Sequence, residues 1–318
     1  MGSEIEIPIL DFRKSSGVTL EEGGEGWKEM SKKVIEAFEN QGCFLIRCDE
    51  ISNDLRERLF IGIKSLFDLP EETKKKFFST KPYRGYTSKS RVIPHSESFG
   101  IDNSPKSDTT FQDFTNLMWS EENPIFCETL CSMTQKKREL SLVILKMIMD
   151  GLGLPKQYNL NVEDLDNYND TRMTRYQLPE NSKNTEIALT LHTDKCTLAL
   201  ICENDVQGLQ VLSKTGNYVD VKIPSDGFVV ICGDILKAWS NGRFEAAPHR
   251  VVTRGDKERL VFVVFAVPKE GMAIKVPSEL VNDENPLRYR PFTYEEFLHY
   301  HYSTHTEKLA IEKFAGLI

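Results

Sequence analysis

ALTLHTDKCTLALI, residues 188–201, sets a histidine and an aspartate into an otherwise apolar run. Alternation of apolar and polar residues at a period of two predicts a strand with one buried face, on which His192 and Asp194 share a side. Two ligand-type groups then point into one cavity. With 6 histidines and 48 carboxylates in 318 residues, a His-x-acid pair is expected about once by chance, so the motif takes its meaning from its surroundings.

Those surroundings are rich in strand signals. IALTLHTDKCTLALICE reads as one of them, and TRMTRYQLP, GLQVLSK, YVDVKIP, GFVVICGD, AAPHRVVT and RLVFVVFAVP are the others. Turn clusters such as ENDVQG, KTGN, PSDG and TRGDKE separate them. Many short strands between turns predict a β-sandwich or barrel. Before residue 170 the pattern is helical. GWKEMSKKVIEAFENQ and SNDLRERLFIGIKSLFDLP carry apolar residues at helical spacing, the second capped by Ser52 or Asn53. PEETKKKFF opens on a helix-starting proline, and a long helix runs from about 124 to 152, ending at Gly151 and Gly153. GCFLIRC is a short buried strand. The expected organisation is α+β: residues 1–169 mostly helical with short strands and part of one compact unit, 170–292 the barrel core, and 293–318 a helical lid over the barrel mouth.

Composition narrows the function. At 40% hydrophobic content the chain can bury a substantial core, and a net charge of −8 with no free basic block argues against nucleic acid and acidic membranes as partners. The opening residues hold no long apolar run, MGSEIE is a poor myristoylation match because its sixth residue is Glu, and no apolar stretch is long enough to span a bilayer. A cytosolic monomer acting on a small molecule is expected. Seven cysteines without a Cys-x-x-Cys pair are expected to be reduced and buried, and Cys127 and Cys131, at helical spacing, to bind no zinc.

A second histidine, His249 in APHRVV, follows Asp194 by 55 residues. Two histidines and one carboxylate on one face of a metal leave three positions open, which suits non-haem Fe(II) binding a co-substrate and O₂; a hydrolytic zinc site is the rival. Arg259 separates them. If PHRVVTRGDKERLVF is a hairpin turning at Gly255, His249 faces Val261 and Arg259 lies on the histidine's side, reaching the interior as an unpaired cation. Such an arginine wants a carboxylate, and the far end of a dicarboxylate keto acid chelating iron supplies one.

At these residues a resemblance becomes plain. HTD, then GDILKAWSNGRFEAAPHRVV, then an arginine ten residues after the second histidine, with IPILDF, GCFLI, LPEETKKKF and YRPFTYEEFL around them, resemble the plant 2-oxoglutarate/Fe(II)-dependent dioxygenase family over nearly the whole chain. YRGYTSK, IPHSESFGID and DILKAWSNGR look most like the clade of AOP-type (alkenyl glucosinolate-producing) and auxin-oxidising enzymes. The resemblance implies a double-stranded β-helix (jelly-roll) barrel flanked by helices. It implies Fe(II) on His192, Asp194 and His249, and 2-oxoglutarate held by Arg259 and by Tyr176 of MTRYQLP, with O₂ as oxidant and ascorbate as a reductant. The reaction would hydroxylate or desaturate a small plant specialised metabolite or hormone, releasing succinate and CO₂. Two departures stand out: Thr174 where many members have Asn, and Val261 where a Ser or Thr hydroxyl is usual. Val261 keeps open an iron oxidase of the same fold that does not use 2-oxoglutarate. A non-catalytic ligand-binding protein is the remaining alternative.

Substrate contacts are expected from the Pro/Gly/Ser-rich loop 82–105, which includes Arg84 and Tyr86, from TTFQDFTNLMW and from HYHYSTH. Phe111, Phe114 and Met118 read as core more readily than as pocket. His95, His299, His301 and His305 are not expected to form a second metal site.

Overall fold

The computed structural model describes residues 6–14, 20–81, 83–89, 95–103, 109–177, 185–304 and 309–317. Strand β1 (Ile9–Asp11) leads into helix α1 (Glu25–Asn40), β2 (Cys43–Arg47), α2 (Asn53–Phe67) and the single turn α3 (Glu71–Lys74). Next come β3 (Gly85–Thr87), β4 (Ser96–Asn103), α4 (Thr110–Met118), the 28-residue α5 (Pro124–Gly151) and a short α6 (Val162–Leu165). The strand-rich half holds β5 (Tyr168–Tyr176), β6 (Glu186–His192), β7 (Leu198–Glu203), β8 (Leu209–Leu212), β9 (Tyr218–Asp220) and β10 (Gly227–Cys232). The turn α7 (Asp234–Trp239), β11 (His249–Thr253), β12 (Arg259–Val267), α8 (Tyr294–Thr304) and α9 (Ala310–Ala315) complete the chain.

Local chemistry explains the helices. In α1, Trp27, Met30, Val34, Ile35 and Phe38 recur at three- and four-residue steps and are buried together. Of the two candidate caps of α2 it is the Ser52 side chain that accepts from the Leu55 N–H, and Asn123 does the same for Phe126 at the start of α5, ahead of Pro124.

Two sheets face each other. Among the described residues the larger runs β1-β2-β10-β7-β12-β5-β4-β3 and the smaller β6-β11-β8-β9, with every pairing antiparallel except β1 with β2. This is the jelly-roll expected. The larger sheet is covered on both sides, which is why LALIC, GFVVIC and LVFVVFAV are apolar without interruption, with the charged Glu203 and Arg259 only at the strand ends. Leu198, Leu200, Phe228, Phe262 and Val264 meet the helices, while Ala199, Ile201, Val229, Val261 and Val263 meet the smaller sheet.

Four readings need correction. Residues 187–203 are not one strand: they divide at HTDKC into β6 and β7, which belong to different sheets. Nor do β11 and β12 form a hairpin. β11 pairs with β6 and β8, and β12 with β5 and β7, because the connection around Gly255 crosses from one sheet to the other. Segment 82–105 is not one loop, since β3 and β4 within it form an antiparallel pair at the edge of the larger sheet; residues 82, 90–94 and 104–105 lie outside the described residues. Finally, α4 is no pocket wall. Phe111, Phe114 and Met118 are buried against the helical side of the larger sheet, with the Phe114 ring packed on Phe77 and Phe99. The cysteines are all free, and five are buried; Cys127 and Cys131 lie on a partly solvent-facing side of α5, with Cys131 exposed.

Candidate active site

The two histidines meet because β6 and β11 are neighbours in the smaller sheet, where His192 and His249 are directly paired with ring centroids 4.3 Å apart. His192 Nδ1 lies 2.8 Å from the Thr190 carbonyl and His249 Nδ1 3.0 Å from that of Ala247. A carbonyl can only accept, so in the neutral ring Nδ1 carries the proton and Nε2 is left with its lone pair. Burial, aided by the neighbouring His249, pushes His192 down to about 4, so its imidazole is neutral at physiological pH.

Asp194 arrives by a different route from the one its spacing suggests. It lies in the irregular segment between β6 and β7, which is pinned to the start of α7: Asp234 N–H donates to the Asp194 carbonyl at 2.8 Å, and Gly233 N–H to that of Thr197 at 3.0 Å. A Cβ on Gly233 would meet the Cys196 carbonyl oxygen at 2.0 Å, so only glycine permits this approach. Asp234 completes the clasp, paired with Lys195 at 3.0 Å and accepting from the Thr193 hydroxyl at 3.1 Å. Asp194 Oδ1 then stands 3.9 Å from each histidine Nε2, and all three donor atoms lie within 4.8 Å of one another. Asp194 Oδ2 is buried without a hydrogen-bond partner. An orphaned buried carboxylate oxygen beside two free imidazole lone pairs is a donor set that fits a divalent cation. Among the described residues it is also the one such cluster; His301 instead contacts the Tyr83 hydroxyl at 2.9 Å, and His305 lies outside the described residues.

These residues line a cavity of about 460 Å³ between the sheets. Arg259, Val261, Val263 and Phe265 line it from β12, so the wall from Arg259 to Phe265 extends roughly 20 Å. Arg259 is directly paired with Tyr176 across β12 and β5, its guanidinium 5.4 Å from the ring centroid. Arg259 and Tyr176 therefore come together as expected, although through the β5 register and not through a hairpin. Thr174 lies two residues before Tyr176 on β5 and lines the same cavity. Gly208 makes room for the arginine: a Cβ there would meet Arg259 Cδ at 3.1 Å and the Val252 carbonyl at 2.4 Å.

One expectation fails at this end. Arg259 is not unpaired, for Glu203 of β7 takes both its Nε (2.8 Å) and its Nη2 (2.7 Å). Val261 lies between β7 and β5, opposite Glu203 and Thr174, so Glu203 is the diagonal neighbour of Arg259. Alternation in LALICE puts Glu203 on the inward face with Ala199 and Ile201, a signal readable from sequence although the residue also opens the turn cluster ENDVQG. At the mouth, Arg84 is paired with Asp170 and lies 3.6 Å from Asp102, while the Tyr86 hydroxyl donates to Glu97 at 2.6 Å on the far side of the sheet, away from the cavity. Tyr294 and Tyr302 of α8 close this end.

Comparison with known proteins agrees. The profile of the 2OG-Fe(II) oxygenase superfamily matches residues 168–268, and that of the non-haem dioxygenase in morphine synthesis N-terminal region matches residues 7–122. A probable 2-oxoglutarate-dependent dioxygenase of Arabidopsis thaliana, AOP1.2, is 33% identical over 300 residues, covering 93% of this chain and 90% of its own. The crystal structure of the rice dioxygenase for auxin oxidation superposes with a TM-score of 0.82 at 26% identity, covering 98% of this chain and 100% of that one. The 2-oxoglutarate complex of the Arabidopsis thaliana auxin dioxygenase, at 21% identity and a TM-score of 0.74 over 88% of this chain and 100% of that one, shares the fold. With the relationship spanning both halves of the molecule, the chain belongs to the 2OG-Fe(II) oxygenase superfamily and is a 2-oxoglutarate-dependent Fe(II) dioxygenase.

Proposed function

We propose that His192, Asp194 and His249 hold the iron, that Arg259 and Tyr176 hold 2-oxoglutarate, and that the enzyme oxidises a small organic anion. The reading rests on the convergence of two free imidazole lone pairs with the unpartnered Asp194 oxygen. Iron bound there would supply the activation of O₂ coupled to decarboxylation of the co-substrate. The chain's own part is positional. The imidazoles are fixed in one tautomer, Arg259 and Tyr176 orient a carboxylate, and Val251, Val261, Val263 and Phe265 exclude water from the reacting carbon.

The anionic substrate is inferred from charge accounting. Four cations line the cavity: Lys195 has Asp234, Arg84 has Asp170, and Arg259 has Glu203. Arg172 alone has no carboxylate within ion-pair distance among the described residues, since nearby Asp170 is taken by Arg84; it donates to the Tyr83 carbonyl at 2.9 Å and lies over the Tyr83 ring. A substrate anion there would complete the pairing. Auxin, named for the rice relative, belongs among the compounds to try first, together with other small plant metabolites and hormones. The test is equilibrium dialysis of Fe(II) under nitrogen, then a screen of organic acids and neutral compounds for succinate release. Asp194→Ala should lose iron while remaining folded. Unchanged iron affinity in that variant would remove Asp194 from the site, and turnover of neutral compounds alone would sink the anionic substrate.

A further inference from the structure

Glu203 is the buried acid that the reaction just described does not use, and it lies where the far end of the co-substrate has to go. Its side chain is 1% exposed. Both bonds from Arg259 fall on one of its oxygens, Oε2, while Oε1 is buried without a hydrogen-bond partner. The guanidinium thus spends its Nε edge on Glu203 and keeps the Nη1 side of the fork for a second carboxylate. Two other charges face the same spot. Arg56 of α2 donates through Nη2 to the Glu203 backbone carbonyl, and Asp205, just beyond β7, sits 3.5 Å from that guanidinium. Two arginines and two carboxylates balance. A further carboxylate leaves the cluster with one uncompensated negative charge, most of it out of water.

We propose that Glu203 takes up a proton when 2-oxoglutarate docks on Arg259, so that one carboxylate replaces another at constant charge and co-substrate affinity depends on pH. The proton comes from solvent and has the unbonded Oε1 to occupy; no other bond forms or breaks. Burial already raises the Glu203 pKa against the pull of Arg259. An arriving anion that shares Arg259 raises it further. Linkage then sets the sign: the complex holds more protons than the free enzyme, so binding tightens as pH falls.

The inference rests on the reading that Arg259 receives the co-substrate, and the experiment keeps the two apart. Iron-loaded enzyme is titrated with 2-oxoglutarate under nitrogen by calorimetry, in buffers of different ionisation enthalpy, between about pH 6.5 and about pH 8.5. Wild type should take up close to one proton per 2-oxoglutarate over part of that range, with affinity falling by up to about tenfold per pH unit as pH rises. Glu203→Gln, which keeps an oxygen for Arg259 and loses the charge, should bind more tightly at the alkaline end and take up no proton. A wild type that takes up no proton, or the same proton count in Glu203→Gln, overturns the proposal; should the variant fail to fold, the wild-type count decides alone. Arg259→Ala separates the two ideas. If it binds 2-oxoglutarate like wild type, the reading of Arg259 fails; if it loses binding while wild type takes up no proton, only the role of Glu203 fails.

Discussion

At the scale of single residues, the Arg259 end of the cavity, proposed above to receive the co-substrate, depends on a missing side chain. Gly208 lies against the stem of Arg259 and the Val252 carbonyl, so Gly208→Ala must displace a backbone or push the arginine off its position. Losing part of a buried charge-assisted contact costs on the order of 1.5–3 kcal/mol. The variant should therefore weaken 2-oxoglutarate binding at least tenfold while leaving iron affinity close to wild type, because the three atoms nearest the added carbon belong to Val252 and Arg259. Parallel titrations of the two ligands under nitrogen check this; equal losses for both would point to general collapse.

At the scale of elements, two contacts determine how the layers lock. The first clips the Asp194 segment to α7 through Asp234, 2% exposed, and Lys195. Asp234→Asn strands a buried ammonium and should destabilise the fold by roughly 3–5 kcal/mol. It should also weaken iron binding without removing a ligand, a result that an unchanged Fe(II) dialysis curve would refute. The second is Lys137, fully buried in α5, whose Nζ donates to the Leu200 and Phe262 carbonyls at 3.0 Å each, between the Phe228 and Phe262 rings. Burial pushes this ammonium down to about 8. Between that pH and the ordinary lysine range the unfolded chain still holds a proton the folded one has lost, so this group adds stability as pH rises. Against Lys137→Met, wild type should gain roughly 2–3 kcal/mol over that interval. Denaturant melts of both proteins at about pH 7.5 and about pH 10 measure the difference.

At the scale of the molecule, the cavity is a corridor between two sheets, with the metal-type cluster on its wall, Arg259 towards one end and an aromatic mouth at the other. Tyr83, from the segment before β3, stacks with His301 and meets Tyr302 edge-on, so the N-terminal region and α8 close on each other over Arg172. Arg172→Ala should raise KM for an anionic substrate by about tenfold or more, as expected for a lost charge-assisted bond, and leave 2-oxoglutarate binding unchanged. Succinate release measured against substrate concentration distinguishes that outcome from a fall in kcat alone, which would place Arg172 outside substrate recognition.

The sequence by itself determined the class of fold, the extents of the long helices and the identity of the His-Asp-His cluster. The first two follow from periodicity and caps, which are local, and the cluster from HTD and APHRVV read through the family resemblance. The family resemblance named Arg259 and Tyr176 together, but not the strand register that brings them side by side. Which strands are neighbours is a non-local property: the chain around Gly255 could turn back within one sheet or cross to the other, and only packing between the sheets selects the crossing. The same choice cuts residues 187–203 into two strands and leaves Asp194 to be set by α7 instead of by alternation. It also brings Glu203 to Arg259, because β7 and β12 become neighbours only once the larger sheet has assembled, and a charge that looked solitary along the chain finds its partner 56 residues away.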